Sequence, residues 1–210
     1  MQRGWFITFE GGEGCGKSYQ SQALYRRLTR RGIPARRLYE PGGSALGNHL
    51  GRLLKWAAST EISPLAELLL FNAARAQLVS QVIRPALERG EVVICDRYAD
   101  STTAYQSYGR GLGLDLVKDV NHHATGGLMP GLTVLLDLPP EEGMARTEDR
   151  RRDRFEKEDS GFHRRVRQGF LALARAEPER WLVIDGRNGK RKIGDIIWRR
   201  VNSMLSSSDR

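Results

Sequence analysis

Short apolar runs alternate along this chain with stretches whose apolar residues recur every three or four positions. Trp5-Phe6-Ile7-Thr8-Phe9 is β-branched and aromatic, and from Lys17 onward Ala23, Leu24 and Leu28 return at helical spacing, which predicts a buried strand and then a helix. Arg30-Arg31-Gly32 ends that helix. Ala35 to Tyr39 predicts a second strand, Pro41-Gly42-Gly43 a sharp loop, and Ser44 the cap of another helix. Ser63-Pro64 starts a helix that carries Leu65, Leu68, Leu69 and Phe71, and Pro85 kinks or restarts it. Val92-Val93-Ile94-Cys95 is apolar at consecutive positions, as suits a central parallel strand covered on both faces. Thr133-Val134-Leu135-Leu136-Asp137 and Trp181-Leu182-Val183-Ile184-Asp185 supply two more strands, and Gly186-Arg187-Asn188-Gly189 turns into a last helix. Strands alternating with helices, without internal repeats, predict an α/β fold: one domain over 1–210, a doubly wound five-stranded parallel sheet flanked by helices.

Composition narrows the setting. With 210 residues, 40% of them hydrophobic, the chain can bury roughly 70% of its unfolded surface around one core. No apolar run approaches the ~20 residues that span a bilayer, and Met1-Gln2-Arg3-Gly4 leads straight into the first strand without a targeting signal, so the expected setting is the cytoplasm, away from membranes. The two cysteines, Cys15 and Cys95, have neither disulfide nor metal-ligand spacing. A formal net charge of +9 invites a nucleic-acid partner, but the arginines are dispersed, concentrating only around Arg146 to Arg154, and no interleaved aromatics form a stacking platform. The basic surface is read as suited to phosphorylated small molecules, with no nucleic acid.

The candidate chemistry begins at Gly11-Gly12-Glu13-Gly14-Cys15-Gly16-Lys17-Ser18, which fits G-x-x-x-x-G-K-[ST] between a predicted strand and a predicted helix. Its glycines let backbone N–H groups turn inward, and the helix adds its positive end, so a polyphosphate meets donors on several sides. Lys17 would reach the β- and γ-phosphates and Ser18 would ligate Mg²⁺. The competing reading is an ordinary glycine-rich strand-to-helix turn. Cys15, in this donor-rich loop, is a candidate nucleophilic thiol or a buried inert one. At the end of the third strand, Asp96-Arg97-Tyr98 lies where open parallel sheets gather ligands. The charged run Arg146 to Arg154 is either a solvated loop or an arginine-rich lid over approximately 146–161.

Taken with this loop, four segments resemble bacterial thymidylate kinase: Glu40-Pro41-Gly42-Gly43, Leu70-Phe71-Asn72-Ala73-Ala74-Arg75, Asp96-Arg97-Tyr98-Ala99-Asp100-Ser101-Thr102-Thr103-Ala104-Tyr105-Gln106, and Asp153-Arg154-Phe155-Glu156. Their order and spacing cover nearly the whole chain. The resemblance implies the P-loop kinase fold, transfer of the γ-phosphoryl group of ATP to dTMP in dTTP synthesis, a requirement for Mg²⁺, and a homodimer. It also implies roles. ATP binds Gly11, Gly12, Glu13, Gly14, Cys15, Gly16, Lys17 and Ser18. Arg97 clamps the 5′-phosphate of dTMP, and Glu10, Glu40 and Asp96 divide among them Mg²⁺, its water shell and the deoxyribose hydroxyl. Phe71 stacks on thymine, Arg75 donates to its O4, and Thr102 and Gln106 take the other edge of the base. Tyr105 is expected to pack, while Asp137 has two readings, one more carboxylate of that set or simply the cap of the helix after Pro139-Pro140. Because the loop's variable positions include no arginine, the lid arginines Arg146, Arg150 and Arg154 supply the transition-state cation, with Arg151 and Arg152 as extras. Two positions depart from the pattern: Tyr39 and Gly51 stand where the family commonly has arginine, with Arg52 beside the second.

Overall fold

The computed structural model describes residues 4–56, 61–147 and 152–207. In chain order the elements are β1 (Phe6–Glu10), α1 (Lys17–Thr29), β2 (Ala35–Tyr39), α2 (Ala45–Trp56), α3 (Pro64–Leu78) and α4 (Arg84–Glu88), then β3 (Val92–Asp96), α5 (Ala99–Thr102), α6 (Leu114–Thr125) and β4 (Leu132–Asp137), and last α7 (Pro140–Ala145), α8 (Ser160–Ala176), β5 (Trp181–Asp185) and α9 (Lys190–Ser207). The five strands pair in parallel in the order β2-β3-β1-β4-β5. This order fixes the site. The chain leaves β1 outward to β2 and later crosses from β3 over β1 to β4, so the loops after β1 and β3 open side by side at the carboxyl ends of adjacent strands. The register aligns Phe9 with Asp96 and Glu10 with Leu135.

Strand parity builds the two faces. Ile7 and Phe9 point into a core with Leu24, Leu28, Ile197 and Trp198, whereas Phe6 joins Leu78, Ile83, Val93 and Tyr98 on the other side. Thr8 interrupts this apolar strand for a reason: its hydroxyl meets that of Thr133 at 3.0 Å, and Thr133 in turn contacts Asp100 and Arg180, a buried ion pair. That network ties α5 to β4 and β5.

The predicted helix starts hold. Ser63 accepts from Ala66 N–H with Pro64 at the first helical position, and Ser44 accepts from Gly47 N–H at 2.9 Å; beyond the predicted starts, Asp159 caps α8 through Phe162 N–H. Pro85 restarts the helix, as expected, after a π-helical stretch over Val79–Ile83. Asp137 is not a cap. It forms a two-pronged ion pair with Arg167, at 2.7 and 2.9 Å, and the residue before α7 is Pro139. The sequence reading missed this because Arg167 lies 30 residues away on another helix.

Helix α7 seats directly on the glycine-rich loop. Gly14 has φ 67°, and a Cβ there would lie 2.0 Å from the carbonyl oxygen of Gly143; a Cβ on Gly143 would lie 2.2 Å from that of Glu13. Backbone meets backbone. Gly143→Ala is therefore expected to lower stability by about 1–3 kcal/mol through overpacking, while Gly189→Ala, whose added carbon meets nothing within 4 Å, changes it by well under about 1 kcal/mol. Urea denaturation compares them, and equal small effects would contradict the close seating.

Candidate active site

The loop after β1 delivers Lys17 into its own turn. Its Nζ donates to the carbonyl oxygens of Gly11 at 3.1 Å and Gly12 at 2.7 Å, so a cation whose hydrogen bonds go to neutral groups sits in the cradle where an anion would compete for it. Gly16, at φ 98°, precedes α1 without a side-chain cap, leaving the first N–H groups of the helix to the cradle. Ser18 Oγ donates to Asp96 Oδ2 at 2.5 Å, joining the start of α1 to the end of β3. A hydroxyl beside a carboxylate is a set of hard oxygen donors that suits Mg²⁺. Among the described residues no group of three or more His, Cys, Asp or Glu could hold a metal alone, so phosphate oxygens would have to complete such a site. Cys15 is only 2% exposed and packs in the core, which removes the nucleophilic reading and leaves the inert one.

Beside the cradle lies a cavity of about 120 Å³ whose walls include Glu40, Phe71, Arg75, Arg97, Thr102 and Gln106. The structure thus gathers most of the expected acceptor residues around one space. Arg97 stands between cavity and cradle. Its backbone is left-handed, φ 71°, a costly conformation for a side chain of this size. Its Nη1 donates to Gly11 O and Ser101 Oγ, both at 3.1 Å, and its Nη2 to the Glu13 carboxylate and to Tyr105 Oη at 3.3 Å. Tyr105 both packs, against Phe155, Phe162 and Phe170, and donates to Glu13 at 3.0 Å.

Two carboxylates three residues apart are driven in opposite directions. Burial alone would raise Glu13, but the neighbouring Arg97 and Lys17 charges outweigh it and hold its pKa near about 2. Glu10 is raised to about 8, first by burial and then by Asp100, against hydrogen bonds from Ser101 and Tyr98 N–H and the charge of Arg97. Glu10 does not reach the cavity. It is 0% exposed, with Oε1 accepting from Tyr98 N–H at 2.8 Å and Oε2 bound to Ser101 Oγ at 2.5 Å, so it braces the turn that carries Arg97.

Arg75 is 1% exposed, and all five of its N–H groups are engaged: Nε with Glu40, Nη1 with Asn72 and Asn121, Nη2 with Tyr98 O and, at 2.6 Å, Thr102 Oγ1. It lines the cavity from within this network. Glu40 keeps one oxygen, Oε1, with no hydrogen-bond partner among the described residues. Phe71 faces Phe155, ring centres 5.6 Å apart, so an aromatic ring from the charged segment after α7 closes one side of the space.

Of the expected lid arginines, the two among the described residues, Arg146 and Arg154, lie apart. Arg146 donates to Gly186 O beyond β5, at 3.1 Å, while Arg154 lies across the site, donating to Leu54 O at 3.0 Å and to Glu67. Arg150 falls outside the described residues, as does Arg151. Arg52 is exposed, and Lys55, one turn beyond Gly51, lines the cavity instead, its Nζ 3.9 Å from Asp153. Gly51 itself abuts the Pro41 carbonyl, and Tyr39 is half exposed, its hydroxyl on Asn48. Sequence reasoning missed Glu67, Asn121, Phe155 and Lys55. Glu67 was findable, since Glu67, Phe71 and Arg75 recur every four residues and so share one face of α3.

A glycine-rich phosphate cradle on a parallel sheet, with an arginine bridging it to a second polar pocket, defines a P-loop nucleotide kinase. The thymidylate kinase family model matches residues 9–197. The thymidylate kinase of Dehalococcoides mccartyi is 54% identical over 200 residues, 95% of this chain and 96% of that protein, and that of Deinococcus radiodurans 52% identical over 203 residues, 96% and 98% of the two. A crystal structure of thymidylate kinase from Ehrlichia chaffeensis superposes with a TM-score of 0.76 at 30% identity, covering 95% of this chain and 99% of that one. This chain belongs to the thymidylate kinase family.

The opposed carboxylates give a pH test. A glutamate whose folded pKa is about 8, above its ordinary 4.5, holds its proton in the native state. Its contribution to stability is full below 4.5 and is lost as pH rises to about 8. Glu10→Gln imitates the protonated acid, with an oxygen for Tyr98 N–H and an N–H for Ser101, so it is expected to gain stability over the native protein between pH 5 and 8.5. Urea unfolding at both pH values checks this; the same difference at each would contradict it.

Proposed function

We propose that this chain is an ATP-dependent dTMP kinase: it transfers the γ-phosphoryl group of ATP to the 5′-phosphate of dTMP, giving ADP and dTDP on the route to dTTP. The observation that carries the reading is Arg97, whose guanidinium touches the cradle at Gly11 and Glu13 while lining the neighbouring cavity. A planar fork there can take two oxygens of an acceptor phosphate, exchanging Glu13 and a carbonyl for a stronger anion. Lys17 holds the donor phosphates, and the cradle's backbone N–H groups fix them in line. Ser18 and Asp96 would hold Mg²⁺, which when bound neutralises charge on the β- and γ-phosphates. Phe71 stacks on the pyrimidine, Thr102 and Gln106 meet its edge, and the unpartnered oxygen of Glu40 faces a hydroxyl or water. Arg146, Arg150 and Arg154 contribute cations to the transferring group when the lid closes over it.

Leu46 and Leu53 on α2, Leu65 and Leu69 on α3 and Leu116 on α6 are exposed on helices packed side by side, which supports pairing of two copies as a homodimer. No described helix is long and apolar enough to cross a membrane. The reading places this single-domain enzyme in the cytoplasm, with its two nucleotide substrates.

The test is ADP release from Mg–ATP with dTMP, dUMP, dCMP, AMP or no acceptor. Rapid release is expected with dTMP alone among these, with dUMP slower by about 10–200-fold for want of the methyl group and essentially none without acceptor. Lys17→Ala is expected to abolish transfer with an unchanged far-ultraviolet spectrum. Release without acceptor would mark a nucleotide switch instead, and equal rates with dCMP or AMP would mark a kinase for another acceptor.

A further inference from the structure

Gln106 is 1% exposed, and only one end of its amide is held. Nε2 donates to Glu67 Oε1 at 2.8 Å, while Oε1 makes no hydrogen bond among the described residues on a side chain that lines the cavity. Glu67, 0% exposed, also takes Arg110 Nε at 3.1 Å and Nη2 at 3.3 Å, and Arg154 Nη2 at 2.5 Å. Arg110 is held in turn by Glu158 at 2.6 Å. A carboxylate facing two guanidiniums has only acceptors to offer, so the amide must turn its NH₂ toward Glu67. The carbonyl end is then left for the cavity.

We infer that Glu67 is a positioning residue for base selection: it fixes the Gln106 amide so that the pocket presents an acceptor, not a donor, to the edge of the bound pyrimidine. The inference rests on the thymine-pocket reading above and deepens it. Thymine carries N–H at position 3 and satisfies that acceptor. Cytosine carries a lone pair there, so two acceptors would face each other, desolvated, with no proton between them. An unrestrained glutamine amide could flip to suit either base. Glu67 denies it that freedom.

The experiment compares kcat/KM for dTMP and 5-methyl-dCMP, which differ only along the 3,4 edge of the base, in the full-length protein, in Glu67→Gln and in the exchange Glu67→Gln with Gln106→Glu. The native protein is expected to prefer dTMP by about 10³-fold or more, the scale of a lost hydrogen bond in a site built for it. At position 67 an amide can offer either a donor or an acceptor, so Glu67→Gln is expected to shrink that preference at least tenfold. Any loss from freeing Arg154 affects both substrates alike and cancels in the ratio. The exchange returns a carboxylate oxygen to the cavity, the amide at position 67 now donating to the carboxylate at position 106 in place of the native pair, and is expected to restore the preference to within about threefold. A Glu67→Gln ratio within about twofold of native would overturn the inference; should that variant not fold, loss of the preference in the exchange variant does so. Absence of any preference in the native protein is a different result, and it removes the thymine-pocket reading itself.

Discussion

The site depends on one strained arginine. Sheet order places the loop after β1 beside the turn after β3, and Arg97 closes the gap between them from a left-handed backbone conformation that costs about 1–3 kcal/mol. What maintains it is visible in its partners: Gly11 and Glu13 in the cradle, Ser101 and Tyr105 toward the cavity. Glu10 braces the same turn from beneath through Tyr98 N–H and Ser101. Shift that turn, and cradle and cavity lose their common wall.

Four described cations around this wall have partners. Lys17 rests on two carbonyls, Arg97 on Glu13, Arg75 on Glu40, and Arg154 on Glu67. These partners differ in how firmly they hold. Neutral carbonyls give way to phosphate readily, whereas the Arg75–Glu40 pair, with both side chains almost wholly buried, would leave an uncompensated charge if broken. On the proposed function, Lys17 and Arg97 exchange partners with bound phosphate, which Arg97 meets in place of Glu13 and the Gly11 carbonyl, whereas Arg75 and Glu67 hold the pocket's shape. Specificity on this account comes from the fixed groups and phosphate binding from the exchangeable ones.

Much of this was legible in the sequence because it is written locally. Strand bounds such as Trp181 to Asp185 follow from short apolar runs between turn residues, and the cradle from a motif within eight consecutive positions. Phe71, Arg97, Thr102 and Gln106 were placed by resemblance, and the structure collects them at one cavity. The rest depends on partners far apart in the chain. Nothing near Asp137 announces Arg167, nothing near Arg75 announces Asn121, and the burial that takes Glu10 out of reach of the cavity is a property of the packed sheet. The charged run after α7 was legible as a solvated loop or a lid, and nothing in its composition announces that Phe155 packs beside Phe71.

The central claim is that cradle and cavity are two ends of one phosphoryl path meeting at Arg97. The most direct measurement is calorimetric affinity for a single molecule in which adenosine and thymidine are joined through their 5′ oxygens by five phosphates, compared with ADP and dTMP separately. One continuous site predicts a dissociation constant at least about a hundredfold below that of the tighter half, because the second nucleotide then binds intramolecularly. A linked molecule that binds no better than its tighter half would mean that the two pockets do not face one another, and the account would fail at its centre.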